Sequence, residues 1–236
     1  MKTCILTSRL DTHDYDESGV RVAHNFGNEN GILDTLLGTV EGRDLLVYVA
    51  SDENAYDITD MYARLVFESF DMTMPFDNYA ILDGRRLNDA KVLLKKANFI
   101  ILGGGHVPTQ KAFFDKIGLK EILHDVDCPV LGVSAGSMNM ARVVYCPPEL
   151  EGEAKDKNFV RYFEGLGLCD INIFPHYNDM KDFVLDGYKM MEDIVYPDTY
   201  KSPVLVIPDG TYVVVRDNKV EKICGESYFV KDGKIV

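Results

Sequence analysis

Short apolar runs bounded by turn residues recur along the chain: CILTS at 4–8, LLVYVAS at 45–51, YAILD at 79–83, NFIILGG at 98–104 and PVLGVS at 129–134. Runs without polar alternation are the pattern of strands buried on both faces of a parallel sheet, because helices cover each side. Between the runs the apolar residues fall at helical spacing. In DITDMYARLVFESF, Ile58, Met61, Tyr62, Leu65, Val66, Ser69 and Phe70 form one stripe that the spacing predicts to be buried. LNDAKVLLKKA (87–97) and TQKAFFDKIGLKEIL (109–123) repeat the pattern less cleanly. Strand then helix, repeated, predicts an α/β fold: a three-layer, doubly wound, mainly parallel sheet with right-handed crossovers. Functional loops are then expected at the carboxyl ends of the strands.

The last third changes character. PVLVIPDGTYVVVRDNKVEKICGESYFVKDGKIV holds three turn signals, PDG, RDNK and KDGK, between short β-branched runs, which predicts C-terminal antiparallel hairpins added to the sheet. The polar stretch PPELEGEAKDKN (147–158) reads as an excursion over the surface. Nothing in the chain is repeated, of low complexity, or rich enough in Pro, Gly and Ser to mark a boundary, so residues 1–236 are expected to form a single domain.

Composition narrows the function. With 236 residues, 46% of them hydrophobic, the chain has material for one substantial core. A formal net charge of −13 repels phosphate backbones and anionic lipid head groups, which excludes nucleic acid and membrane surfaces as expected partners. Five cysteines, odd in number and far apart, have neither metal-knuckle nor redox spacing and read as reduced thiols. The start MKTCILTSRLDT is too short in apolar residues for a signal peptide, and no apolar run reaches the roughly 20 residues of a membrane span. A soluble, cytoplasmic protein is expected; oligomeric state, a homodimer included, is left open.

Candidate chemistry gathers at two strand ends. Gly132-Val133-Ser134-Ala135-Gly136 fits a nucleophile elbow, with Ser134 on a sharp turn between a strand and a helix. Glycines two residues before and after the serine permit the close packing of that turn. The elbow also points the Ala135 N–H into the same space as the hydroxyl. Gly103-Gly104-Gly105 ends another strand, where backbone N–H groups can approach a ligand, and Pro108 suits the first turn of the helix that follows. A phosphate loop would need a Lys-Ser/Thr sequel, and His106, Val107 and Pro108 stand there instead. A serine needs a base. His176 in INIFPHYND follows an apolar run and is the favoured candidate, with His106 in the glycine loop as reserve and substrate-binding candidate. The acid that would orient the imidazole stays open among Glu149, Glu151, Glu153 and Asp156 in the excursion, with Asp179 as a further option.

The combination of FIILGGGH, GVSAGSMN and FPHY resembles the peptidase E and cyanophycinase family of serine peptidases, whose fold is like that of class I glutamine amidotransferases (flavodoxin-like). The likeness spans nearly the whole chain. It implies Ser134 as nucleophile, His176 as base and an acid shortly after the elbow helix. That acid is Glu149 by the spacing of the peptidase E branch, and near Glu151 or Glu153 by that of the other branch. It further implies Gly105 and Ala135 as oxyanion-hole N–H donors, Gly104 and His106 as substrate-binding, no cofactor and no metal. The implied activity is hydrolysis of a small peptide or amide, dipeptidase-like, through an acyl-enzyme. Two positions depart from the peptidase E branch, which removes N-terminal aspartate from dipeptides. His106 stands where that branch has Asn, and the segment after His176 offers Lys181 and Lys189 in place of an arginine. Rival readings are an α/β-hydrolase esterase, a non-catalytic small-ligand-binding relative, and glutamine amidotransfer, which wants cysteine at the elbow.

Overall fold

The computed structural model describes residues 2–236. In chain order its elements are β1 (Thr3–Thr7), β2 (His13–Tyr15), β3 (Arg21–Ala23), α1 (Ile32–Thr39), β4 (Leu46–Val49), α2 (Tyr56–Thr73), β5 (Tyr79–Leu82), α3 (Ala90–Lys96) and β6 (Phe99–Leu102). Then come α4 (Val107–Lys116), α5 (Leu119–Asp125), β7 (Val130–Val133), α6 (Ala135–Met138), β8 (Val143–Tyr145), β9 (Tyr162–Glu164), β10 (Ile173–Phe174) and α7 (Tyr177–Met180). The chain ends with β11 (Val184–Leu185), β12 (Tyr188–Lys189), α8 (Tyr196–Asp198), β13 (Val204–Val206), β14 (Tyr212–Arg216), β15 (Lys219–Cys224), β16 (Tyr228–Lys231) and β17 (Lys234–Ile235).

A seven-stranded sheet runs β15-β14-β1-β7-β6-β4-β5. Its strands β1, β7, β6, β4 and β5 are parallel, and β14 and β15 are added antiparallel at one edge. Every residue of β1, β4 and β6 is buried, as the unbroken apolar runs require. Alternate residues face opposite layers. Leu6, Val49, Leu102 and Val130 pack with α3, α4 and α5 through Leu94, Phe114 and Leu123. Ile5, Leu46, Phe99 and Leu131 pack with α1 and α2 through Leu36, Ala63 and Phe70. Each such fully buried Leu or Phe contributes about 1.5–3 kcal/mol from loss of apolar surface to water.

Two helical expectations shift in detail. The buried side of α2 is carried by Thr59, Ala63, Leu65, Val66, Ser69 and Phe70, whereas Ile58 is 60% exposed. The first turn of α2 runs past the sheet and lines an open cavity, so its apolar face meets no core there. The stretch 109–123 is two helices, α4 and α5, broken at Gly118, which adopts φ +63°.

The C-terminal strands divide between two sheets. β14 and β15 are joined through Asp217 and Asn218, both at positive φ, and β16 and β17 through Asp232 and Gly233, likewise positive, as tight hairpin turns demand. The β16–β17 pair belongs to a separate four-stranded sheet, β10-β13-β16-β17, in which β10 and β13 are parallel. That small sheet covers a third apolar cluster containing Tyr145, Phe174, Met190, Ile194 and Val206. PDG is not a hairpin turn: β13 and β14, on either side of it, lie in different sheets.

Candidate active site

The residues just past β1, β6, β7, β10 and β13 converge on one site. The turn after β7 holds Ser134 at φ +49°, ψ −111°, sparsely populated for a non-glycine residue, and α6 begins at the next residue. Neighbours hold this turn in place. Ser134 N–H donates to Thr7 O (2.9 Å), Thr7 Oγ1 donates to Gly132 O (2.7 Å), and Ser137 Oγ donates to Thr7 O (2.9 Å). A Cβ on Gly132 would lie 2.5 Å from Ser137 N, and one on Gly136 would run into the carbonyl oxygens of Leu102 and Gly103. The two glycines therefore meet different neighbours: Gly132 faces the helix start, and Gly136 packs on the end of β6.

His176 follows β10 in a left-handed conformation, φ +58°. Its Nε2 lies 3.0 Å from Ser134 Oγ and its Nδ1 lies 2.8 Å from Asp209 Oδ1. Asp209 accepts only, so the network assigns the proton to Nδ1 and leaves Nε2 free to accept from the serine. Asp209 comes from the PDG turn after β13. Phe174 pairs with Val206 in the parallel β10–β13 register, which brings the residues just beyond each strand to the same end. Ser8, just past β1, ties the group together: its hydroxyl donates to Asp209 Oδ1 (2.6 Å), accepts from His176 N–H (2.8 Å) and lies 3.3 Å from His176 Nδ1. Burial alone would raise the Asp209 carboxyl, but hydrogen bonds from His176 and Ser8, with the charges of His176 and Arg9, outweigh it and hold the group below the usual carboxylate range.

The acid expected at Glu149 is corrected. None of Glu149, Glu151 and Glu153 bonds to His176; Asp209 occupies that position. The excursion folds instead over the start of α4. There Glu153 Oε1 lies 2.9 Å from His106 Nε2, and the Glu149 carboxyl lies near the Val107 backbone. Glu151 is exposed. Burial, and then the Glu153 charge, push Glu149 up to about 7 against the opposing Val107 N–H. His106 is corrected as well: Thr109 and Glu153 hold its two ring nitrogens, and it does not line the cavity beside Ser134.

Gly104 and Gly105 do line it. Gly104 backs onto the serine turn, where a Cβ would sit 3.6 Å from Ser134 Cβ, and one on Gly105 would press on Ser51. Their N–H groups are not used by the sheet or its turns, and the Ala135 N–H is at the open first position of α6. Among the described residues, His176, Asp179 and Asp209 are the group whose donor atoms come within 4.8 Å as a metal site would require, and two of the three are already engaged with each other.

The cavity above Ser134 has a volume of about 550 Å³. One wall comes from Arg9, Thr12, His13, Tyr15 and Arg21, on and before the β2–β3 hairpin, and the other from Tyr48, Ser51 and the first turns of α2. No carboxylate lines it among the described residues, in a chain with 38 acidic side chains. The Arg21 guanidinium lies over the rings of Tyr15 (5.1 Å) and Tyr62 (5.4 Å), and its shielded Nε has no hydrogen-bond partner. Burial, and next the charges of Arg9 and Arg21, push His13 below its ordinary range. Lys181 and Lys189 are exposed and do not line the cavity. Sequence reasoning missed Asp209 and this basic wall. Asp209 carries the same signal as His176, a polar residue just past an apolar run, but PDG is also the turn chemistry of a hairpin.

The family model of Peptidase family S51 matches residues 49–223. The chain belongs to that family. It is a serine-type peptidase, and Ser134, His176 and Asp209 all lie within the matched region. Among solved structures, it is similar to a peptidase from an acI-B1 Actinobacterium, with 15% identity, TM-score 0.67 and coverage of 98% of this chain and 91% of that one. It is also similar to a putative peptidase E protein from Listeria monocytogenes EGD-e, with 16% identity, TM-score 0.62 and coverage of 95% and 100%. At these identities the likeness shows a shared fold. No curated protein matches the chain in sequence. The basic wall of the cavity, residues 9–21, precedes the region that the S51 model matches.

Proposed function

We propose that this S51 peptidase hydrolyses small peptides, dipeptides foremost, through a Ser134–His176–Asp209 triad and an acyl-enzyme, and favours substrates that carry a carboxylate near the scissile bond. The observation that carries the mechanism is the unbroken hydrogen-bond chain from Ser134 Oγ through His176 to Asp209, opening on the cavity. His176 Nε2 takes the hydroxyl proton as Oγ attacks the scissile carbonyl carbon. Asp209 keeps the ring in the tautomer that accepts at Nε2 and stabilises the imidazolium that forms. The Gly105 and Ala135 N–H groups receive the developing oxyanion; each such donor is worth about 3 kcal/mol when lost singly. The imidazolium then protonates the leaving amine, the C–N bond breaks, and water activated by the same nitrogen releases the acid from Ser134.

The carboxylate preference rests on Arg9 and Arg21, which line a cavity that no carboxylate lines among the described residues. The Arg21 guanidinium lies over the faces of Tyr15 and Tyr62 and pairs with no carboxylate among the described residues, which suits an incoming anion. Placing a bulky endopeptidase substrate in a cavity of about 550 Å³ is harder than placing a dipeptide. The mainly parallel sheet, with antiparallel β14 and β15 at one edge, fits the class I glutamine amidotransferase-like arrangement better than an α/β-hydrolase. Five free cysteines suit a reducing, cytoplasmic setting; no helix among the described residues is long and apolar enough to cross a membrane.

Labelling with a fluorophosphonate, read by intact mass, tests the nucleophile. One adduct is expected on the wild type and none on Ser134→Ala, with labelling of His176→Ala and Asp209→Asn slowed by orders of magnitude. An adduct that persists at full rate in Ser134→Ala refutes the assignment.

A further inference from the structure

The glycine loop that carries the Gly105 N–H is gripped on its far side by the polar excursion. Directly after Gly105, His106 has its Nε2 2.9 Å from Glu153 Oε1 and its Nδ1 2.8 Å from Thr109 Oγ1. Both partners of the His106–Glu153 pair are about four-fifths shielded, with side-chain exposures of 20% and 18%. Glu153 Oε2 accepts from the N–H groups of Glu149 (2.8 Å) and Leu150 (2.9 Å), so one carboxylate both shapes the excursion and holds the loop. The excursion is anchored in turn by Asp186, at the tip of the β11–β12 hairpin, whose carboxylate accepts from Gly152 N–H (2.9 Å) and Ala154 N–H (3.1 Å).

We propose that Glu153, acting through His106, is a positioning residue that fixes the Gly104–Gly105 loop with its N–H toward Ser134. The inference rests on the Ser134 mechanism above and extends it to side chains that touch neither substrate nor nucleophile. The geometry explains why the Glu153 carboxylate sits in a half-buried site where, among the described residues, its one ionisable hydrogen-bond partner is the His106 imidazole. Its acceptor oxygens are used by two backbone N–H groups and one ring, all belonging to the loop or to the excursion that holds it. Without these contacts Gly104 and Gly105 have fastenings only to either side: Gly103 N–H to Val49 O (2.9 Å) and Gln110 Nε2 to Gly103 O (2.7 Å) before them, and Gln110 N–H to His106 O (3.0 Å) after them. Gly104 and Gly105, whose own N–H groups have no partner among the described residues, are then free to shift between those fastenings. An oxyanion donor displaced by even about 1 Å loses much of its effect on the transition state while leaving ground-state binding alone.

The test combines two readouts on Glu153→Ala, Glu153→Gln, His106→Ala and the double variant Glu153→Ala/His106→Ala. Hydrogen exchange of the segment 103–110 is expected to rise clearly in Glu153→Ala, and kcat on a cleaved dipeptide to fall on the order of tenfold or more with KM within about twofold. Glu153→Gln keeps an acceptor oxygen and is expected to recover most of both losses. The double variant is expected to match His106→Ala alone, because Glu153 acts through that ring. Unchanged exchange in 103–110, a loss expressed in KM alone, or strictly additive effects would each overturn the proposal. Failure of the Ser134 mechanism is read separately, as wild-type turnover that survives Ser134→Ala, and the exchange arm still decides whether the clamp exists.

Discussion

Replacing Asp209 with asparagine removes one charge and changes almost no volume. Its Oδ1 stands 2.8 Å from His176 Nδ1, and the two side chains are 36% and 33% exposed. A unit charge pair at that distance interacts by about 6 kcal/mol at an effective dielectric of 20. Exposure of both groups to solvent halves this to about 3 kcal/mol, or roughly a hundredfold in the rate of forming the imidazolium. A second effect adds to it. The introduced asparagine can present its amide nitrogen to Nδ1, which favours the tautomer protonated on Nε2 and leaves no lone pair to accept the serine proton. Asp209→Asn is therefore expected to lower kcat by about 10²–10⁴ with little change in KM. The assay is steady-state hydrolysis of a cleaved dipeptide, with fluorophosphonate labelling rate as a second measure of serine activation. The contrast is Glu149→Gln: the Glu149 carboxyl has no hydrogen bond to His176, and its loss is expected to cost no more than about tenfold in kcat. A kcat for Asp209→Asn within tenfold of wild type, or a larger loss in Glu149→Gln, would refute the assignment of the acid.

Arg21→Gln is expected to lower kcat/KM on dipeptides with an acidic side chain by about 10–100-fold, the worth of a charge-assisted hydrogen bond, and to affect uncharged dipeptides far less; equal losses on both would count against carboxylate recognition. Gly132→Ala sets a Cβ 2.5 Å from Ser137 N, backbone against backbone, and is expected to lower the melting temperature by many degrees or prevent folding, as thermal denaturation would show. Glu149 titrates near 7 in the folded chain against its ordinary 4.5, so the folded state binds the extra proton and stability falls as pH rises from about 4.5 to about 7. Glu149→Gln removes that penalty and is expected to gain on the order of 3 kcal/mol over wild type at pH 8 and nothing at pH 4, by denaturant unfolding at the two pH values. Asp209 runs the other way: its folded carboxyl titrates below the usual range, so its stabilising contribution is present above about pH 4 and is lost as pH falls, and the melting temperature of Asp209→Asn should converge on that of wild type in acid.

How much of this was written in the chain depends on the range over which each feature is decided. The parallel core was legible because β1, β4 and β6 are buried on both faces, and that demand leaves an unbroken apolar run at each one. The serine turn was legible because Gly132, Ser134 and Gly136 must satisfy one local geometry, and the sequence places them within five residues. His176 was legible as a polar residue just beyond an apolar run. Asp209 had the same credentials, yet PDG carries turn chemistry whichever sheet its flanking strands join, and chain proximity favoured the carboxylates of 147–158. Only the parallel register of β10 with β13, across a separation of about thirty residues, brings Asp209 to His176, and only the fold of the excursion over α4 sends Glu153 to the loop instead. The wall of Arg9 and Arg21 likewise exists because a short N-terminal hairpin crosses the first turns of α2. Backbone sterics and periodic burial act within a few residues and so leave marks in the sequence. The partners of an imidazole or a guanidinium are chosen by which strands pair and which loops cross, and no stretch of chain contains that information on its own.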